Sequence, residues 1–201
     1  MGDSYSTYGG YIPEGYLYYY GGERKDPPII GDVEKTWWKR LSEEKDFNIV
    51  LNDSFSGSTV CNTLRPGLPF GSSFIRRMDK YISEGFFDKN KIDKMFIFGG
   101  TNDSWLDSPI GEVKYSDWTE DELKCVLPAF CYLLEKAKTV IEDIVVIINS
   151  ELKDEITNGF ITACRKNNIK CLLLSEIDKE NGHPTELGMK QISEQVGAFI
   201  G

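Results

Sequence analysis

The residues of this chain that could carry nucleophilic or acid–base chemistry lie in a few short polar, glycine-containing segments. His183 is the only histidine among 201 residues, so a metal site built on several imidazoles is excluded. Near the start, Gly2-Asp3-Ser4 presents a serine in a tripeptide that is also ordinary turn sequence. A serine hydroxyl becomes a good nucleophile when an imidazole accepts its proton. The tripeptide alone does not decide between a turn serine and a nucleophile, so the rest of the chain must decide whether Ser4 and His183 act together.

The elements that must position this pair are indicated by hydrophobic patterning. Four short apolar runs have the composition of parallel strands buried on both faces, at residues 47–51, 94–100, 143–149 and 170–175. Apolar residues at helical spacing predict helices at residues 33–44, 73–86, 123–141, 152–164 and 192–200. Thr119 and Glu122 form a capping-box pattern at the third helix, which Pro128 is expected to kink or restart. This alternation predicts a three-layer α/β domain with a parallel sheet.

Polar and glycine residues follow every predicted strand. In open parallel sheets, ligands bind outside the carboxyl ends of the strands. The corresponding segments are residues 52–59, 99–105, 149–152 and 176–184, and the last of them contains His183. The sequence therefore predicts one site at this edge of the sheet.

Four sequence blocks, in order along the whole chain, resemble those of the SGNH hydrolases, also called GDSL-like esterases and lipases. The blocks are "GDS" at 2–4, "SFSGST" at 54–59, "GGTND" at 99–103 and "NGHP" at 181–184. The resemblance implies an α/β/α sandwich with a parallel, flavodoxin-like sheet. It also implies a serine esterase that uses neither cofactor nor metal.

The resemblance assigns roles to individual residues. Ser4 is the expected nucleophile and His183 the expected base. The backbone N–H groups of Ser4 and Gly57 and the side-chain amide of Asn102 are the expected oxyanion donors. Glycine allows close backbone approach, and a neutral amide donates hydrogen bonds without titrating.

The group that orients the imidazole is where the sequence departs from the family pattern. The family's acid is an Asp three residues before the histidine, and this chain has Glu180 there. Glu180 is the preferred candidate, and Asp178 is the alternative. A serine–histidine dyad supported by a backbone carbonyl is the third arrangement.

The expected reaction is hydrolysis of short acyl esters, such as acetyl, on a carbohydrate or another hydroxylated small molecule. Alternatives are a lipase or thioesterase for longer chains, and a weakly catalytic carbohydrate-binding protein on the same fold. Residues 5–30, rich in tyrosine and glycine, are expected to form a substrate loop or lid. Tyr5 and Trp105 are the expected substrate-binding residues, because each is close in sequence to a candidate catalytic residue.

Length and charge exclude several classes of protein. The 201 residues suit one domain, 1–201, and a net charge of −9 without a basic stripe argues against nucleic-acid binding. The chain as given has no apolar run of membrane-spanning length and no signal-peptide pattern, so a cytoplasmic protein is expected. Five cysteines without a C-x-x-C pair predict free thiols. The composition does not indicate an oligomeric state.

The start of the chain departs from the family pattern as well. The resemblance places an apolar strand directly before Gly-Asp-Ser, whereas only Met1 precedes Gly2 here. The first strand is therefore expected to be missing from the chain as given, with Ser4 on a frayed terminus. We expect roughly five to eight further apolar residues, a strand's typical length, to raise activity and stability.

Overall fold

The computed structural model describes residues 1–22 and 26–201, in which helices precede, separate and follow the strands of a parallel sheet. In order, the elements are α1 (Trp37–Glu44), α2 (Phe74–Ser83), α3 (Phe86–Lys89), β1 (Met95–Phe98), α4 (Thr101–Trp105), α5 (Val126–Lys138), β2 (Ile144–Ile148), α6 (Asp154–Lys166), β3 (Lys170–Leu173), β4 (Lys179–Glu180), β5 (His183–Pro184) and α7 (Glu186–Ile200). Short 3₁₀ turns lie at Ser4–Ser6, Val33–Lys35, Phe70–Ser72 and Glu122–Lys124.

The sheet that supports the site is parallel, with the strand order β1-β2-β3. Its register pairs Phe96 of β1 with Val145 of β2. Val146 and Ile148 of β2 pack into a core cluster with α2, α5 and α6, whereas Ile147 packs with α1 and α7 on the other face. Both faces are therefore covered, which confirms the predicted three-layer fold and three of its four predicted strands.

The remaining predicted strand, which is the first in sequence order at residues 47–51, does not form, and this prediction is wrong. Within the described part of the chain this segment pairs with no strand, and Phe47, Ile49 and Val50 are 36%, 40% and 45% exposed. A groove of about 590 Å³, here called the edge groove, separates the segment from β1. Apolar residues form a strand only where a neighbour completes the ladder of hydrogen bonds.

The first residues lie at one end of the edge groove and bridge its two sides. The Met1 ammonium donates to the Phe96 carbonyl at 2.8 Å, and the Phe98 N–H donates to the Met1 carbonyl at 3.1 Å. On the other side, the Gly2 N–H donates to the Asp53 carbonyl at 2.8 Å. Burial of the Met1 ammonium lowers its pKa to about 6.

The buried side chain of Arg77 holds the first residues of the chain in place. The side chain is 1% exposed and donates from Nη2 to the Gly2 carbonyl at 3.1 Å. Nη1 donates to the Asp53 carbonyl at 2.8 Å, and the guanidinium also pairs with the Asp53 carboxylate. The expectation that the residues before Ser4 are frayed is therefore wrong, because a buried, paired guanidinium binds the Gly2 carbonyl.

Pro128 does not interrupt a helix. The capping box of Thr119 and Glu122 forms, with the Thr119 N–H donating to Glu122 Oε2 at 2.7 Å and the Glu122 N–H to Thr119 Oγ1 at 3.2 Å. This box closes a 3₁₀ turn, and α5 begins afterwards at Val126. Pro128 then lies in the first turn of α5, where a backbone N–H has no intrahelical partner to lose.

The described residues were compared with the requirements of a membrane span, a metal site and disulfide bonds. None of their helices is both long and apolar enough to cross a membrane. No group of three or more acidic, histidine or cysteine side chains within residues 1–22 and 26–201 could hold a metal ion. The cysteines are free thiols, as predicted: Cys61, Cys125, Cys131, Cys164 and Cys171.

Candidate active site

Ser4 is fixed by hydrogen bonds within its own turn. It begins the 3₁₀ turn, and Asp3 caps this turn because its Oδ1 accepts from the Tyr5 N–H at 3.1 Å. The Ser4 carbonyl accepts from the Thr7 hydroxyl at 3.0 Å. The side chain is 2% exposed, so its hydroxyl is held in a largely dry environment.

His183 reaches Ser4 from the far end of the sequence. It lies on β5, which pairs with β4 in an antiparallel hairpin that places Glu180 opposite His183. The two turn residues, Asn181 and Gly182, have φ values of 50° and 76°, as a type I′ turn requires. His183 Nε2 lies 3.0 Å from Ser4 Oγ. The Asn-Gly dipeptide is a strong hairpin signal that sequence reasoning missed.

Lys179 anchors this hairpin to the end of β2, and it too was missed. Its Nζ donates to Asn149 Oδ1 at 3.0 Å and pairs with Glu151 at 3.0 Å, while its side chain is 7% exposed. Asn149 in turn donates to Thr101 Oγ1 at 3.2 Å. The loop that carries His183 is thus connected to the ends of β1 and β2.

The tautomer of His183 follows from its Nδ1 contact. Nδ1 lies 3.2 Å from the carbonyl oxygen of Asn181. A carbonyl oxygen only accepts hydrogen bonds, so Nδ1 carries the proton in this contact. In the neutral imidazole Nε2 is then the unprotonated nitrogen, and its lone pair faces the Ser4 hydroxyl. This is the protonation state that a general base needs.

Neither candidate acid is brought to the imidazole by a hydrogen bond between described residues. The Glu180 side chain is exposed. The Asp178 carboxylate accepts from the Thr185 hydroxyl, and the Asp178 N–H donates to Gln191 Oε1 at 2.7 Å. Asp178 therefore helps to join the hairpin to α7. Between described residues, His183 Nδ1 contacts the Asn181 carbonyl oxygen, which is the kind of acceptor that the third arrangement invokes.

Two of the candidate oxyanion donors lie on neighbouring segments, the loop at Gly57 and helix α4. Gly57 has φ 84°, a left-handed conformation that favours glycine. Asn102 lies in α4, where Gly100 with φ 94° allows the chain to turn sharply out of β1. One N–H of the Asn102 amide donates to the Ser58 carbonyl at 3.0 Å. This bond holds the amide beside the Gly57 turn and leaves its second N–H for another acceptor.

Two buried carboxyl groups, those of Asp103 and Asp3, accept backbone hydrogen bonds around the site. Asp103 accepts from the Val60 N–H at 2.8 Å and from the Cys61 N–H at 3.2 Å, which ties residues 58–61 to α4. Burial raises the pKa of Asp103. Burial also raises the pKa of Asp3 to about 7, against the lowering effect of the Tyr5 N–H hydrogen bond. The carboxyl whose pKa is raised to about 7 therefore belongs to the residue directly before Ser4.

The two predicted substrate-binding aromatics have different surroundings. Trp105 is 41% exposed, and its ring centroid lies 5.5 Å from that of His183. Tyr5 is 1% exposed, and its hydroxyl donates to the Gly182 carbonyl. Trp105 is therefore placed to touch a ligand, whereas Tyr5 supports the hairpin from within the core.

Tyr19 is a site residue that sequence reasoning did not single out. Its ring is stacked on that of His183, with centroids 3.5 Å apart and planes 5° from parallel. Nothing in the sequence distinguishes Tyr19 from the nine other tyrosines. It belongs to the expected loop or lid at residues 5–30, of which residues 23–25 lie outside the described residues.

A three-layer α/β/α sandwich with a serine–histidine contact beyond the strand ends is typical of serine ester hydrolases of the SGNH type. The sequence profile of the GDSL-like lipase/acylhydrolase family matches residues 1–200, and the chain belongs to this family. This confirms the resemblance, and the chain is an ester hydrolase. No curated protein sequence matches the chain.

Solved structures agree with this assignment. A protein described as a GDSL-like lipase from Bacteroides ovatus is 38% identical with a TM-score of 0.90, covering 99% of this chain and 94% of its own. One with the same description from Bacteroides uniformis is 40% identical with a TM-score of 0.88, covering 97% and 90%. The aryl esterase of M. smegmatis shares the fold at 14% identity, with a TM-score of 0.62 and coverage of 99% and 95%.

Proposed function

We propose that this chain hydrolyses carboxylic esters by nucleophilic catalysis, with Ser4 as the nucleophile and His183 as the general base. The observation that carries the proposal is the 3.0 Å contact between Ser4 Oγ and His183 Nε2. Both side chains are at most 8% exposed, so the contact is shielded from competing water.

In the first half-reaction, Nε2 takes the proton of Ser4 as Oγ bonds to the ester carbonyl carbon. The tetrahedral intermediate then loses the alcohol, whose oxygen receives that proton from the imidazolium, and an acyl-enzyme remains. A water molecule next gives a proton to Nε2 and attacks the acyl carbon. Collapse of this second intermediate returns the proton to Ser4 Oγ and releases the acid. The Asn181 carbonyl accepts from Nδ1–H and stabilises the imidazolium in both halves.

The negative charge of both tetrahedral intermediates needs hydrogen-bond donors. The backbone N–H groups of Ser4 and Gly57 and the second N–H of the Asn102 amide fill this role. The Asn102 bond to the Ser58 carbonyl supports this assignment, because an amide already held in place needs no reorganisation when charge develops. Such preorganised donors lower the barrier most when water is excluded.

For the substrate we propose a short acyl group, such as acetyl, on a carbohydrate or another hydroxylated small molecule. Trp105 supports this choice, because its exposed indole lies beside His183 and can stack on a sugar ring. A lipase or thioesterase would instead prefer longer acyl chains. A weakly catalytic carbohydrate-binding protein would bind sugars with little turnover.

A panel of p-nitrophenyl esters of increasing chain length tests these alternatives. We expect the highest kcat/KM at two to four carbons, and a maximum at eight carbons or more would contradict the short-acyl proposal. Ser4→Ala should reduce kcat by about 10⁴-fold or more. Ser6→Ala is the matched control, because Ser6 Oγ lies in the same turn but accepts from the Trp37 indole at 3.1 Å. Equal turnover by wild type and Ser4→Ala would refute the nucleophile assignment.

A further inference from the structure

The tyrosine-rich segment contacts His183 directly instead of covering an open cleft. Tyr19 stacks flat on the imidazole, with ring centroids 3.5 Å apart, and Tyr5 and Trp105 approach it at 5.4 and 5.5 Å. A histidine ring rotates easily about its χ2 bond, because that torsion has a broad minimum. A parallel aromatic face at van der Waals distance restricts this rotation.

The stacked tyrosine is itself tied to the nucleophile turn. The Tyr19 N–H donates to Thr7 Oγ1 at 2.8 Å, and the same hydroxyl donates to the Ser4 carbonyl at 3.0 Å. One buried threonine hydroxyl thus fixes the backbone of Ser4 and the backbone of Tyr19 together. The Tyr19 ring over His183 is therefore held in a fixed position relative to Ser4, whose hydroxyl the imidazole contacts.

Two further tyrosines hold the backbone on either side of His183. The Tyr5 hydroxyl donates to the carbonyl of Gly182, and the Tyr20 hydroxyl donates to the carbonyl of Pro184 at 2.8 Å. The Gly9 N–H donates to the Tyr20 carbonyl at 2.9 Å, so the segment is also closed on itself. Contacts from this segment therefore reach the ring face and both flanking peptide groups of His183.

We propose that Tyr19 is a positioning residue for the general base, and that residues 5–20 form a clamp on His183 instead of a mobile lid. This rests on the proposed roles of Ser4 and His183. The stacked ring keeps Nε2 pointed at Ser4 Oγ. Its π face also favours the imidazolium that forms during each half-reaction, because a cation over an aromatic ring is stabilised. The loss of such orientation costs rate in the chemical step, and substrate affinity is largely unaffected.

Tyr19→Leu and Tyr19→Phe test the proposal with p-nitrophenyl acetate. Leucine removes the flat face, and we expect kcat to fall by about 10- to 100-fold with KM changed less than about threefold. Phenylalanine keeps the face, so kcat should fall less in Tyr19→Phe than in Tyr19→Leu. Phe199→Leu is the control for the loss of an aromatic ring, because Phe199 lies outside residues 5–20 and is 39% exposed in the last turn of α7, so kcat should not change.

A second readout separates positioning from a purely structural role. Paraoxon phosphorylates a serine hydroxyl that a base activates, so its rate of inactivation reports on the Ser4–His183 pair without an acyl substrate. The rate should fall in Tyr19→Leu in proportion to kcat, at temperatures well below the melting transition of the variant. Unchanged kcat in folded Tyr19→Leu, or a change confined to KM, would overturn the proposal. Activity that is equally low in wild type and Ser4→Ala would instead refute the proposed function.

Discussion

Asp3 makes the stability of this protein depend on pH in a direction opposite to most carboxylates. The side chain is fully buried, its Oδ2 has no hydrogen-bond partner among the described residues, and burial raises its pKa to about 7 from 3.8. The folded state therefore keeps a proton that the unfolded state has already lost between these pH values. Because the unfolded state binds fewer protons there, the free energy of unfolding falls as pH rises from about 4 to 7.

The size of this effect follows from the two pKa values. A difference of about three units corresponds to about 4 kcal/mol above pH 7, at about 1.4 kcal/mol per unit. Between pH 5.5 and 7.5 the same values give a loss of about 2 kcal/mol. The Asp3→Asn variant cannot titrate, and its amide oxygen can still accept from the Tyr5 N–H. The free energy of unfolding of Asp3→Asn relative to wild type should therefore increase by about 2 kcal/mol over this range.

Urea unfolding followed by tryptophan fluorescence at several pH values measures this difference. The comparison with wild type is needed because the Met1 ammonium acts in the opposite direction. Its pKa is lowered to about 6 from 8, so its own contribution to stability rises between pH 6 and 8. The exposed Asp88→Asn is the control, since that side chain stays in water when the protein folds. Parallel stability curves for Asp3→Asn and wild type would refute this account of Asp3.

Three further predictions concern the site and the edge groove. Asn102→Ala should lower kcat by about 10²- to 10³-fold, or roughly 3 kcal/mol, with a small change in KM, and unchanged turnover in the folded variant would exclude an oxyanion role. Glu180→Gln and Asp178→Asn should both retain kcat within about threefold if a backbone carbonyl orients His183, whereas a fall of about 10⁴-fold in one of them would identify the orienting acid. An extension of roughly five to eight apolar residues before Met1 should raise the melting temperature by filling the edge groove, and a serine-rich extension of equal length giving the same gain would contradict this.

Local sequence patterns were enough to predict features that depend on burial or on partners close in the chain. Residues 144–148 are apolar throughout because β2 lies between two strands and two helical layers. The capping box of Thr119 and Glu122 formed as predicted, because both partners lie within one turn of chain. His183 and Gly2-Asp3-Ser4 could likewise be identified from the sequence, since each lies within a short contiguous block.

Tertiary structure decided whatever depends on a distant partner. Residues 47–51 are as apolar as a strand, but they remain outside the sheet because no neighbour pairs with them. Arg77, remote in sequence, fixes Gly2, so the terminus below Ser4 is held although local sequence predicts fraying. The Tyr19 ring stacks on that of His183, 164 residues away in the chain, and no local spacing encodes this contact. The sequence alone thus determined which groups could do the chemistry, and packing between distant segments decided how the imidazole is held against the serine.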